Sequence, residues 1–248
     1  MKGKMTYYGM NVYQLTELDE HTQPQQIIDK MNELYGELKK AKIDNKKERM
    51  EEWNVVMDNY EIDPIGYYKY CENKGMFNKP PPINITIKIT LKSVKNGLIK
   101  TIKYQVKRIN KLTAKEYNEM ISKTIKIERG VDSDDEYIFE KEGNEEIGKK
   151  QGDLKILFEV ICHDFIRNKE NVILKYPINH YDEQHGFIIS HRGINDDEWI
   201  NKRVEPNKVK IGDSESVITI YGKGLPKKGG EIGEYGDIFI LFTEKETN

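Results

Sequence analysis

The chain is poor in the features that make several functions readable. Its 248 residues include only two cysteines, Cys71 and Cys162, far apart and without a Cys-x-x-Cys pattern. That spacing argues against a disulfide framework or a zinc ribbon, and free thiols lead us to expect a reducing, cytoplasmic setting. No run approaches the ~20 consecutive apolar residues of a membrane helix, so no membrane partner is expected. Met1-Lys2-Gly3-Lys4-Met5 is not followed by the apolar core of a secretory signal. Charged residues make up 33% of the chain, yet the net charge is only −2. A surface so balanced lacks the basic excess that nucleic acids require, so no nucleic-acid partner is expected either. The apolar share, 37%, is low but enough for two or three small domains.

Signatures of chemistry are also missing. No motif surrounds a Ser/His/Asp or Cys/His arrangement. His180, His185 and His191 have no carboxylate or cysteine at metal spacing. Asp132, Asp134, Asp135 and Glu136 do not follow the order of a calcium-binding loop, and they suit a solvated turn. Gly222-Lys223-Gly224 lacks the spacing and hydroxyl of a phosphate-binding loop. No cofactor, no metal and no enzymatic activity are expected.

What is present is a repeated phrase. Gly152-Asp153-Leu154 and Gly236-Asp237-Ile238 each open an alternating apolar run, and each follows a glycine-bounded turn. Tyr137-Ile138-Phe139 and Gly143-Asn144 precede the first; Val217 to Tyr221 and Gly222 to Pro226 precede the second. The order strand, turn, Gly-Asp, strand occurs twice, which predicts two copies of one β unit.

The chain before the repeat reads as helical. Thr22 suits an N-cap with Pro24 in the first turn, and Ile27, Ile28, Met31, Leu34, Tyr35 and Leu38 follow helical spacing. Met50, Trp53, Val56, Met57 and Tyr60 repeat the pattern, Asp63-Pro64 breaks it, and Tyr67, Tyr68 and Cys71 suggest a short third helix. Pro80-Pro81-Pro82 then forms a stiff connector. Beyond it Ile83, Ile85, Ile87, Ile89 and Leu91 alternate with polar residues as a strand. Asn96-Gly97 marks a turn, and Ile102, Tyr104 and Val106 form the return strand. Residues 110–122, with Leu112, Tyr117, Met120 and Ile121, read as a short helical insertion. Further strands are expected near 154–161, 172–178, 187–190, 217–221 and 238–243.

The ordered series Asn96-Gly97, Arg129-Gly130-Val131, Gly143-Asn144, Gly152-Asp153-Leu154, His163-Asp164-Phe165-Ile166-Arg167, Gly222 to Pro226 and Gly236-Asp237-Ile238 resembles the C-terminal peptide-binding domains of DnaJ-type co-chaperones, the forty-kilodalton heat-shock class. The resemblance covers residues 83 to 243. It implies an α+β multidomain protein: a small helical-hairpin J-like domain (6–75), a proline linker (76–82) and two β-sandwich-like DnaJ C-terminal domains (83–170 and 171–248). Tyr7-Tyr8, the basic-ended helix, Asp63-Pro64 and Tyr70 fall in the order of a J-domain. The family's His-Pro-Asp tripeptide, which triggers ATP hydrolysis by the seventy-kilodalton DnaK-type chaperone, is replaced by Ile43-Asp44-Asn45. The resemblance therefore implies a degenerate J-like domain with impaired stimulation, in the subtype without zinc. The sequence ends after its last strand without the family's dimerisation segment, so a monomer is expected.

Placed by Gly97, the family's client-peptide groove falls at Ile85, Ile87, Ile102 and Tyr104. The same four positions would serve equally as buried core. Contact with a DnaK-type partner falls on Lys39, Lys40, Lys42, Asp44 and Asn45, within a basic run that continues through Lys46, Lys47 and Arg49; a solvated helix end explains that run equally well. The implied function is a co-chaperone that binds unfolded or non-native polypeptides. A chaperone-independent holdase or interaction scaffold, and an enzyme on an unrelated β-sandwich, are the alternatives.

Overall fold

The structure, a computed structural model, describes residues 4–228 and 233–245. Its contacts divide the chain into two compact units. One holds the residues up to Ile85 with 103–122 and 137–156; the other holds 86–102, 123–136 and the described residues from Leu157.

Four helices open the first unit: α1 (Val12–Thr16), α2 (Pro24–Lys40), α3 (Lys46–Ile62) and α4 (Pro64–Asn73). The cap of α2 is Gln23, which makes no side-chain bond, rather than Thr22. Thr22 is drawn into the preceding turn, its N–H donating to the Asp19 carbonyl at 3.0 Å, while Pro24 presets the helical φ. The break after α3 is where the sequence puts it. Asp63 accepts the Gly66 N–H at 2.9 Å, and Pro64, without an N–H of its own, starts α4. α2 packs on α3, α1 touches both, and α4 lies on α3. Their apolar faces enclose Tyr7, Met31, Leu38, Trp53 and Tyr67, all essentially inaccessible. Trp53 meets Tyr7 edge to face at 5.0 Å, and side chains buried to this degree contribute about 1.5–3 kcal/mol each.

From Ile83 the chain builds one β unit twice. The first copy runs β1 (Ile83–Thr90), the short helix α5 (Leu91–Asn96), a hairpin of β2 (Leu98–Ile109) and β3 (Glu116–Ile127), then β4 (Glu136–Phe139) and β5 (Leu154–Ile161). After β6 (Phe165–Asn168) the second runs β7 (Asn171–Ile178), α6 (His180–His185), a hairpin of β8 (Phe187–Arg192) and β9 (Trp199–Val204), then β10 (Val217–Ile220) and β11 (Ile238–Glu244). Sheet order repeats as well: β4-β5-β1 in one copy, β10-β11-β7 in the other, with β6 added beside β7. β11 lies parallel to β7, Ile238 opposite Val172, and antiparallel to β10, Ile238 opposite Ile220. Both short helices stop on a left-handed glycine, Gly97 (φ 78°) and Gly186 (φ 79°). Their N–H groups donate to Ser93 and Asp182 carbonyls at 2.8 Å each.

Two further sequence expectations are corrected. Residues 110–122 are a turn and the start of β3, not a helix. Asn110 Oδ1 accepts from the Leu112 and Thr113 N–H groups at 3.1 and 2.9 Å, and the Asn110 N–H donates to the Lys115 carbonyl at 2.9 Å, closing the hairpin. Tyr117 and Met120 are 51% and 65% exposed, so no buried face favours a helix there. Asn96-Gly97 ends α5 rather than joining two paired strands, and β1 and β2 fall in different sheets. The cause is local: the Thr90 hydroxyl accepts the Ser93 N–H at 3.3 Å as an N-cap, and Val94 is buried.

The helical core of the first unit also takes in the β2–β3 hairpin tip. Ile109 is buried in the helical cluster, with Leu112 and Ala114 packed against it. The Tyr7 hydroxyl donates to the Leu112 carbonyl at 2.5 Å. Gln14 bridges the 146–148 backbone, Nε2 donating to the Glu146 carbonyl at 2.8 Å and Oε1 accepting the Gly148 N–H at 2.7 Å. Helices, hairpin tip and this loop therefore fold as one piece.

Candidate functional site

The four groove positions have different surroundings. Ile85, on β1, is half-buried, whereas Ile87 on the same strand is 2% exposed. On β2, Ile102 and Tyr104 are 8% and 6% exposed. Ile85 and Tyr104 belong to the first unit, Ile87 and Ile102 to the second. The Tyr104 hydroxyl donates to the Glu142 carbonyl at 3.3 Å. Burial, reinforced by the Glu142 carboxylate, raises its pKa, so the phenol stays neutral. Among the described strands β1 is an edge of its sheet, and its outer residues Thr86 and Lys88 are exposed. An edge strand carries unpaired backbone groups that an extended peptide can use.

The chaperone-contact positions are all on the surface. Lys39 and Lys40 close α2, Lys42 and Asp44 lie in the loop, and Asn45 enters α3 with a left-handed φ of 52°. The Lys39 ammonium lies 4.4 Å from the Tyr35 ring centre. Ile43 turns inward and packs on the helical core. Arg49, read from the sequence as part of the same basic run, does something else. Its Nη1 donates to the Leu112 carbonyl at 3.2 Å, its Nε to the Asp44 carbonyl at 3.2 Å, and its guanidinium stacks 4.3 Å from the Tyr8 ring. Arg49 clamps the α2–α3 loop to the hairpin tip, a role that spacing alone does not reveal.

The acidic stretch after Gly130 is a braced turn. Asp135 accepts the Asp132 N–H at 2.8 Å and pairs with Lys228, and Arg167 reaches both the Val131 carbonyl (3.0 Å) and Asp132 (3.2 Å). In the His-x-Phe-x-Arg segment it is thus Arg167 that makes the long-range bonds, while His163 is exposed. Among the described residues, Asp19, Glu20 and His21 bring three potential metal ligands within 4.8 Å. They sit on a turn in which Asp19 already accepts the His21 N–H at 2.9 Å and Glu20 pairs with Lys150.

The repeated Gly-Asp phrase has the same atomic arrangement in both copies. Gly143 N–H donates to the Gly152 carbonyl at 2.8 Å and Gly152 N–H to the Asn144 carbonyl at 2.9 Å. In the second copy Gly224 donates to Gly236 at 2.8 Å and Gly236 to Leu225 at 2.9 Å. Duplicated topology and duplicated turn chemistry together define a β-rich protein built from two copies of one module behind a helical segment. Residues 83–244 match the DnaJ C terminal domain, and the chain belongs to the DnaJ-type co-chaperone family. That domain binds polypeptides, and the family generally works without enzymatic chemistry of its own. Among curated proteins no relative matches the chain.

Proposed function

We propose that this protein captures unfolded or non-native polypeptides as a DnaJ-like co-chaperone, with residues 6–75 acting as a degenerate J-like domain. One observation carries the client-binding reading: β1 is an edge strand whose Ile85 keeps accessible apolar surface beside the buried Ile87. An extended client adds to that edge through its backbone and lays one apolar side chain on Ile85. Backbone pairing of this kind is indifferent to client sequence, which suits weak and promiscuous capture. On the helical side, exposed Lys39, Lys40 and Lys42 offer a basic face to an acidic DnaK-type partner. A cytoplasmic, monomeric protein belongs to the same reading.

A second reading, a chaperone-independent holdase, draws support from the α2–α3 loop. Ile43 occupies the place of the tripeptide imidazole and packs inward, leaving Asp44 and Asn45 as the loop's outward polar groups. One assay separates the two: suppression of aggregation of a denatured test protein, with and without a DnaK-type chaperone and ATP. Refolding above the sum of the separate components supports the co-chaperone. Equal suppression without ATP, and no added refolding, supports the holdase. Failure to suppress aggregation at all overturns both.

A further inference from the structure

Within the first compact unit, α1, the segment around Phe77 and the 140–151 loop enclose an open cavity of about 250 Å³. Tyr13, Leu18, Met76 and Phe77 supply its apolar lining, Tyr13 and Phe77 meeting edge to face at 5.6 Å. Its rim is charged with both signs. Lys111 bridges Glu145 at 2.8 Å and Glu17 at 3.5 Å, and Lys150 pairs with Glu20 while lying 5.2 Å from the Phe77 ring centre. Glu140 and Lys141 line the same rim and have no side-chain partner among the described contacts, while Asp19 beside them accepts the His21 N–H at 2.9 Å.

The backbone supplies a second, independent observation. Glu17 and Lys141 both hold a left-handed φ of 59°, a conformation that favours glycine. Glu17 ends α1, where helices commonly place glycine. Lys141 is the counterpart of Gly222 in the second β copy: each gives its N–H to the Asp of the Gly-Asp phrase, at 3.0 and 2.7 Å. So two positions where glycine would relieve the backbone instead carry charged side chains, and both face one cavity.

We infer that this cavity is a second polypeptide-binding site, taking one aromatic or long aliphatic side chain from an extended segment with charges of both signs beside it. The volume lies below the roughly 300–1,000 Å³ of small-molecule sites, which favours a single side chain over a cofactor. The uncommitted groups decide the flanks: Glu140 receives a basic residue and Lys141 an acidic one or a backbone carbonyl, so a ligand of one charge sign meets as much repulsion as attraction. The inference rests on the polypeptide-binding reading above but uses different residues.

The test is fluorescence anisotropy on the full chain, with a short labelled peptide carrying one phenylalanine between a lysine and a glutamate. Glu17→Gly with Lys141→Gly is expected to weaken binding about tenfold while the melting point stays unchanged or rises, because glycine suits both backbones. A peptide with glycine in place of phenylalanine is expected to bind the native chain and this variant equally weakly. Ile85→Ser serves as the control on the edge strand. If only Ile85→Ser weakens binding, the cavity is not a client site and the inference falls while the edge-strand reading stands. If the native chain binds the phenylalanine and glycine peptides alike, the apolar anchor is wrong and the inference falls. Absence of any binding by the native chain overturns both.

Discussion

Asp153 and Asp237 occupy the same place in two copies of one turn. Asp153 Oδ1 accepts the Lys141 N–H at 3.0 Å, and Asp237 Oδ1 accepts the Gly222 N–H at 2.7 Å. Each aspartate carbonyl then accepts from the first strand of its own copy, Ile83 N–H at 2.9 Å and Val172 N–H at 3.0 Å. The Gly-Asp phrase is therefore a two-sided latch: the side chain holds the incoming turn and the main chain holds the opening strand. Because the latch bonds backbone groups, it tolerates any sequence around it, which is why the phrase stands out while its surroundings diverge.

The turn glycines should be equally intolerant in the two copies. A Cβ on Gly143 would stand 2.5 Å from the Asp153 carbonyl oxygen, and one on Gly224 would stand 2.7 Å from the Glu170 carbonyl oxygen. Both clashes are with backbone, so relief requires the strand ends to part. We expect Gly143→Ala and Gly224→Ala each to cost about 1–3 kcal/mol in denaturant unfolding. A native-like midpoint for either would show that the latch is looser than its hydrogen bonds indicate.

The edge strand separates binding from folding. Ile87 is 2% exposed, so Ile87→Ser leaves a cavity with a hydroxyl in it and is expected to cost about 2–5 kcal/mol. Half-buried Ile85 has less packing to lose, so Ile85→Ser should shift the melting point far less while reducing aggregation suppression. Thermal unfolding and the aggregation assay are read together on each variant. Parallel losses in both assays for Ile85→Ser would place it with the core.

Much of this was legible in the sequence, and what was not has physical causes. The period-2 run from Ile83, the helix break at Asp63-Pro64 and the Gly-Asp repeat each rest on signals within a few residues of one another. The residues at 91–96 misled because Leu91 continues the strand alternation, while the deciding bond, from Ser93 to the Thr90 hydroxyl, belongs to a cap and leaves no periodicity. Residues 110–122 misled because helical spacing does not reveal that Tyr117 and Met120 stay exposed. The roles of Gln14 and Arg49 depend on partners such as Glu146 and Leu112, distant in sequence, and no local pattern encodes those.

The loop between α2 and α3 gives a direct test of the trigger. With Ile43-Asp44-Asn45 in place, stimulation of a DnaK-type ATPase is expected to lie near background. Installing His-Pro-Asp at 43–45 should restore part of it, since α2, α3 and the Arg49 clamp remain to hold the loop. Strong stimulation by the native chain would show that this loop needs no such tripeptide.

The two free thiols should differ sharply in reactivity. Cys71 has no accessible surface, and burial pushes its pKa up to about 12, so almost no thiolate exists at neutral pH. Cys162, at the end of β5, is partly exposed. A disulfide-exchange reagent is expected to titrate one thiol in the native protein and both after denaturation. Two rapidly reacting thiols under native conditions would mean that the α4 core opens far more readily than its packing suggests.

Acid should weaken the fold through identifiable carboxylates. Burial alone would raise the pKa of Asp153, but the Lys79 ammonium at 2.7 Å and the Lys141 N–H hold it below the ordinary value. Burial likewise opposes, and the Lys95 ammonium at 2.8 Å outweighs, the shift at Glu198. Asp135 is held low by Lys228 in the same way. A carboxyl with a depressed pKa in the folded state stabilises the protein above its unfolded pKa, and that contribution disappears as pH falls through the folded value. The melting point should therefore be flat near neutrality and decline below about pH 4, where free carboxylates titrate. The Lys95–Glu198 pair should matter most, because the Lys95 side chain is only 7% exposed and is poorly screened by solvent. Glu198→Gln is expected to lower the melting point at pH 7 and to shrink the difference between pH 7 and pH 3. An acid decline as steep in Glu198→Gln and Asp153→Asn as in the native chain would assign the titration to other groups.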